Sequence, residues 1–218
     1  MDILTVDIET YYDAQFSLSK MQTDAYIMDD RFEFIGVCVA RNAEPPVWFS
    51  GDEAEIAGWM HSNFDWANSA VRCHNTLFDG YALTQRLGIR PRLWMDTLSQ
   101  GRMLYPYLTS HSLANLTKFF GFPDKGTEVV KAMGKRRADF NPMELEAYAD
   151  YCKHDTWLCR AMGEKMDAFT PPLEARLIDM TVRMFTEPLL VGDVPKMEQL
   201  YRDEVARKEA LMRSLVVG

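Results

Sequence analysis

No stretch of this chain reaches the ~18 consecutive apolar residues that a membrane-spanning helix needs, so no membrane insertion is expected. The opening residues, MDILTVDIET, have neither a basic n-region nor a small-residue cleavage site, so no secretory leader is expected. Cysteine is sparse: positions 38, 73, 152 and 159 carry it, and no two form a CxxC pair. All four fall in apolar patterns, which reads as reduced core thiols and argues against a structural zinc centre or a disulfide framework. These absences together predict a cytoplasmic protein. Positive charge is also in deficit, with 24 Lys and Arg against 32 Asp and Glu and a formal net charge of −8. Such a chain does not coat nucleic acid over a broad basic surface. It can still grip a short stretch through metal ions and local basic groups. Internal repeats and low-complexity segments are lacking too, which excludes solenoids and long disordered linkers.

What is present is a chain of 218 residues with 47% apolar content, enough to bury a sizeable core in one large domain or one domain plus part of another. Apolar runs predict strands over 3–8, 32–40, 46–50, 70–74 and 92–95. The Glu44-Pro45-Pro46 turn joins the second and third as a hairpin. Helices are expected over 52–62 and 77–87, the latter closed by Gly88. Further helices are expected over 96–104, 112–120, 126–133 and 142–166. The order β-β-β-α-β-α-β followed by helices is that of an α/β fold with a central mixed five-stranded sheet flanked by helices. A composition break at Phe169-Thr170-Pro171-Pro172 divides a domain over 1–170 from a C-terminal helical extension over 171–218, with helices at 173–186 and 194–215.

Three segments carry chemistry. Asp7 and Glu9 end the first strand two residues apart, so their carboxylates share one face. Two like charges held that close call for a cation between them. Asp79 falls in the first turn of the helix that follows the fourth strand, where the helix dipole favours an anion. Taken alone it reads as an N-terminal helix Asp. The end of a strand beside the first one is also where α/β sheets place ligands. The third segment is the long helix that Asn141, Pro142 and Glu144 begin. Its core-facing seam runs Leu145, Tyr148, Cys152, position 155, Cys159, Met162, Met166, and position 155 is Asp. A carboxylate facing a core is costly without a charged or hydrogen-bonding partner, and a metal at Asp7 and Glu9 would supply one. Tyr151 lies one turn before Asp155 on the same side of the helix.

Together these residues resemble the DEDDy branch of the DnaQ-like 3′–5′ exonucleases. Asp7-Ile8-Glu9 matches the D-x-E motif, Asn75-Thr76-Leu77-Phe78-Asp79 matches N-x-x-[FY]-D, and Tyr151-Cys152-Lys153-His154-Asp155 matches Y-x-x-x-D. The match in order and spacing spans roughly residues 1–168. Asp7–Tyr11, Trp94-Met95-Asp96-Thr97, His111-Ser112-Leu113 and Glu187–Asp193 are further similar to the proofreading domain of family A DNA polymerases, particularly those of bacteriophages. Polymerase palm and fingers motifs are lacking, so polymerase activity is not expected.

The resemblance implies a ribonuclease H-like fold and a 3′–5′ exodeoxyribonuclease using two Mg²⁺ or Mn²⁺ ions. It makes Asp7, Glu9, Asp79 and Asp155 the metal ligands and Tyr151 the group that orients the attacking water. It also makes Thr10, Asn75 and Phe78 contacts to the 3′-terminal nucleotides. The expected partners are a single-stranded DNA 3′ end and the remainder of a polymerase chain, with the fragment itself a monomer. His154 is the alternative general base. Lys131 with Lys135-Arg136-Arg137 is either a solvated loop or a contact to the phosphate backbone. The competing functions are a stand-alone exoribonuclease like ribonuclease D and a binding module whose site has decayed.

Overall fold

The computed structural model describes residues 1–124 and 132–216. Its sheet has five strands: β1 (Ile3–Thr10), β2 (Phe34–Arg41), β3 (Val47–Phe49), β4 (Ala70–Cys73) and β5 (Leu93–Asp96). They lie in the order β3-β2-β1-β4-β5. The β1–β2 and β2–β3 pairs are antiparallel, and β1–β4 and β4–β5 are parallel. The expected mixed sheet is therefore present, with β1 at its centre. The helices are α1 (Thr23–Met28), α2 (Glu53–Asn63), α3 (Thr76–Gln85), α4 (Thr97–Leu104), α5 (Leu113–Phe120), α6 (Pro142–Asp167), α7 (Pro172–Thr186) and α8 (Val194–Val216). The helix expected over 126–133 falls almost wholly outside the described residues, as does Lys131. Helix α1 was not expected from the sequence: its N-cap, Gln22, makes no side-chain cap, and what holds it is burial of Tyr26 and Ile27.

The two faces of β1 do different things, as a period of two requires. Leu4, Val6 and Ile8 enter the main core, with Val37, Val39 and Val71 from neighbouring strands and Ile56, Met60 and Leu83 from α2 and α3. Asp7 and Glu9 belong to the other alternation, the face on which α6 lies. That helix packs on β1, β2 and β4. Its C-terminal half meets α5 through Leu113, Leu116, Leu158 and Met162. Trp48 crosses the sheet directly over Gly36: a Cβ there would collide with the indole and lie 2.8 Å from the Phe49 carbonyl oxygen.

Helix α6 is fixed near both ends by polar groups. At its start Asn141 and Glu144 form a capping box, and Glu144 also pairs with Lys135 at 2.7 Å. Toward its end Asp167 pairs with Arg72 of β4, a side chain 1% exposed, and accepts from Gln100 of α4. The Met1–Glu187 segment forms one compact unit, so the expected boundary at 170 falls inside it. Helix α7 packs on α3 and β5, and Asp179 accepts the Trp94 backbone N–H at 2.7 Å. In the second unit, Pro188–Gly218, α8 exposes Met197, Leu200, Tyr201, Leu211 and Leu215. No helix among the described residues is long and apolar enough to cross a membrane.

Candidate active site

Asp7 and Glu9 lie near the C-terminal end of β1, opposite Cys38 and Gly36 of β2, and the pairing register shifts between Glu9 and Thr10. Irregularities of this kind re-aim side chains at the ends of strands. Helix α6 presents three groups to the pair. Tyr148 Oη donates to Glu9 Oε2 at 2.6 Å. The Cys152 thiol lies 3.4 Å from Asp7 Oδ2. Tyr151 hydrogen-bonds Asp155, and its phenol stays protonated to high pH because burial and the Asp155, Glu9 and Asp7 charges all oppose ionisation. Asp155 is 3% exposed on the core-facing seam, where the heptad-like spacing predicted it.

Asp79 arrives from α3. Its carboxyl is held well above the usual carboxylate range, first by burial and then by the charge of Asp7, with Glu9 adding to it. The Ile8 backbone amide offers it a hydrogen bond that acts in the opposite direction. The four predicted carboxylates thus share one electrostatic neighbourhood. The tightest ligand set is Asp7, Glu9 and Cys152, whose donor atoms all lie within 4.8 Å of one another. Carboxylate oxygens suit a hard divalent cation such as Mg²⁺ or Mn²⁺, and a cation would relieve the repulsion that Asp79 feels. The donor atoms of Asp7 and Glu9 therefore fit a divalent metal ion, which these two carboxylates would hold.

The residues expected to contact the substrate divide between two hollows. Thr10 and Phe78 line a cavity of about 340 Å³ together with Glu9, Tyr12, Ser17, Leu18 and Tyr26. Thr10 Oγ1 lies 2.9 Å from Tyr26 Oη, which accepts from it while donating its own proton to the Tyr11 carbonyl. Burial pushes the Tyr26 phenol up to about 12. Asn75 lines a separate, more polar groove of about 910 Å³ with His74, Arg102 and His111. It sits at the α3 N-cap with φ of 67°, a left-handed conformation that Asn tolerates better than most residues. The Asp96 carboxylate holds it there, accepting the backbone N–H groups of Asn75 at 2.9 Å and Thr76 at 3.1 Å. The same carboxylate caps α4 through Leu98 and Ser99.

His154 does not join the carboxylates. Its ring stacks on Trp157, and Nε2 lies 3.2 Å from the Asp124 carbonyl oxygen, so the alternative general base is not favoured. Two cations of the basic cluster are engaged within the protein. Lys135 is paired with Glu144, and Arg136 bonds Glu33 at 2.5 Å while lying 4.2 Å over the Tyr11 ring. Sequence reasoning missed Tyr148 and Cys152 as members of the site. Both occupy the apolar seam of α6, and the only available signal was that the seam also carries Asp155.

No family model matches this sequence, and no curated protein sequence matches it. Solved structures do. Brucella melitensis NrnC is 12% identical with a TM-score of 0.55, the match covering 85% of this chain and 83% of that one. Trypanosoma brucei RNase D, solved in complex with RNA U12, is 16% identical with a TM-score of 0.60, over 87% of this chain and 66% of that one. The catalytic core of Trypanosoma brucei RRP6 is 17% identical with a TM-score of 0.56, over 92% of this chain and 52% of that one. Identities this low speak to the fold alone, a ribonuclease H-like mixed five-stranded sheet flanked by helices.

Proposed function

We propose that this protein is a metal-dependent 3′–5′ exonuclease that removes nucleoside 5′-monophosphates from the 3′ end of single-stranded DNA. What carries the reading is the meeting of Asp7, Glu9, Asp79 and the Tyr151–Asp155 pair beside one end of β1. Asp7, Glu9, Asp79 and Asp155 would hold two Mg²⁺ or Mn²⁺ ions, which when bound polarise the scissile phosphate and lower the pKa of attacking water. Tyr151 keeps its proton and, anchored by Asp155, offers a fixed hydroxyl for orienting that water. Phe78 and Thr10 form the adjoining wall for the terminal nucleoside, where an aromatic face can stack on a base or sugar. Asn75 faces the neighbouring groove, suited to the strand further from the end. A binding site this local is compatible with a net charge of −8.

The choice of DNA, and of a proofreading role within a family A polymerase, rests on the similarity of the motifs and of residues 187–193 to such proteins, with the helical tail as the start of the polymerase part. One observation favours RNA instead. The similar structures include RNase D in complex with RNA U12 and NrnC bound to pGG. Matched 3′-labelled DNA and RNA oligonucleotides, incubated with Mg²⁺, Mn²⁺ or EDTA, separate the two. The expected result is a metal-dependent 3′-to-5′ ladder of mononucleotides, faster on DNA. Asp7→Ala and Asp155→Ala should each abolish it in folded protein. Near-normal cleavage by either variant would overturn the assignment.

A further inference from the structure

Tyr148 belongs to none of the three motifs, yet it touches two parts of the site at once. Its hydroxyl, buried with the rest of the side chain, donates to Glu9 Oε2 at 2.6 Å. Its ring stacks with those of Phe140 and Tyr151, with centroids 5.4 and 6.1 Å apart and planes within 7° and 14° of parallel. Glu9 has one more rotatable bond than Asp7, so more conformational freedom must be lost before its carboxylate can serve a cation. A hydrogen bond from Tyr148 to its carboxylate removes much of that freedom.

We propose that Tyr148 is a positioning residue that presets Glu9 as a metal ligand. The proposal rests on the reading of Asp7 and Glu9 as ligands of a divalent cation. Partners behind a metal ligand typically contribute roughly 10–100-fold to metal affinity or activity. A residue that merely packs would lose nothing on removal of its hydroxyl, because the ring and its two stacks remain.

Tyr148→Phe isolates the donor, and Phe140→Leu removes one stack while leaving the donor in place. Mn²⁺ binding to the full chain, followed by calorimetry without nucleic acid, is the primary measurement, with thermal melting in EDTA as the check on folding. Tyr148→Phe should fold, bind Mn²⁺ at least about tenfold more weakly, and need correspondingly more Mn²⁺ for half-maximal cleavage, with most of kcat recovered at saturation. Phe140→Leu should keep wild-type Mn²⁺ affinity. Unchanged affinity in Tyr148→Phe overturns the proposal, as does an equal loss in Phe140→Leu or failure of Tyr148→Phe to fold. A wild-type protein that neither binds Mn²⁺ nor cleaves would overturn the metal-site reading itself, an outcome distinct from the others.

Discussion

Two glycine-to-alanine substitutions in helices should move stability in opposite directions. Alanine in a helix interior is favoured over glycine by about 1 kcal/mol, chiefly because glycine loses more backbone freedom on folding. At Gly58, exposed in α2, an added Cβ meets nothing within 4 Å, so that gain should be realised. At Gly163, buried in α6, the Cβ would lie 2.6 Å from Arg72 Cζ and 2.7 Å from Cδ. The far end of a long side chain can usually step aside at little cost. Arg72 cannot, because its side chain is 1% exposed and its guanidinium is paired with Asp167. Overpacking of this kind costs about 1–3 kcal/mol, and losing a partner from a buried ion pair about 3–5 kcal/mol. Even with partial relaxation the penalty exceeds the helix gain, leaving Gly163→Ala about 2 kcal/mol less stable than wild type. For a compact unit spanning Met1–Glu187 each kcal/mol moves Tm by about 2–4 °C, so a loss of about 4–8 °C is expected. Gly58→Ala should instead gain a few degrees. Circular dichroism melts of the three proteins at one pH make the comparison. A Gly163→Ala protein at or above the wild-type Tm would refute the claim that Arg72 is locked in place.

Asp79 gives a pH-dependent prediction. Its carboxyl sits well above its ordinary value of 3.8 because of burial and the Asp7 charge. A group whose folded pKa is raised contributes stability that is complete below the unfolded value and is lost as pH rises through the folded one. In EDTA the wild type should therefore lose stability with rising pH above about 4, and Asp79→Asn should escape that part of the loss. Melts of both across pH check it, and a pH-independent difference between them would remove Asp79 from the charge cluster. Asp96→Ala removes the α4 cap, worth about 1 kcal/mol, and leaves the Asn75 and Thr76 amides without their acceptor, about 1–3 kcal/mol more. Urea unfolding should show a total loss of about 2–4 kcal/mol, and a loss confined to the cap value would mean that the Asn75 turn stands without Asp96.

The parts of the fold that were legible in the sequence are those with regular periodicity or local chemistry. The alternation in β1 put Asp7 and Glu9 on one face, and the seam of α6 put Asp155 toward the core. The capping signal at Asn141 marked the start of α6 to the residue. Helix α1 was not legible, because a six-residue helix without a side-chain cap owes its existence to tertiary burial of Tyr26 and Ile27. The reach of Asp96 back to Asn75 was equally hidden, since it joins residues 21 apart in sequence across two strand ends. Tyr148 shows the limit of pattern reading most clearly. A tyrosine on an apolar seam satisfies the packing pattern whether its hydroxyl meets water, a backbone carbonyl or Glu9.

The site demands that negative charges be gathered in a place that raises the energy of the folded chain, as the displaced Asp79 carboxyl records. The structure concentrates its polar fastenings on the element that must resist this. Helix α6 is tied at its start by the Asn141–Glu144 capping box and the Lys135 pair, and at its end by Arg72 and Gln100 gripping Asp167. Tyr148, Tyr151, Cys152 and Asp155 all lie between those two anchors. Glu33 extends the same bracing, binding Arg136 and the Arg137 amide just before α6 begins. Two of the cations that sequence alone allowed as phosphate contacts, Lys135 and Arg136, thus help to hold in place the helix that faces Asp7 and Glu9. Loosening either anchor should therefore weaken the site before it unfolds the sheet, because the carboxylates repel one another and only the position of α6 keeps Asp155 among them.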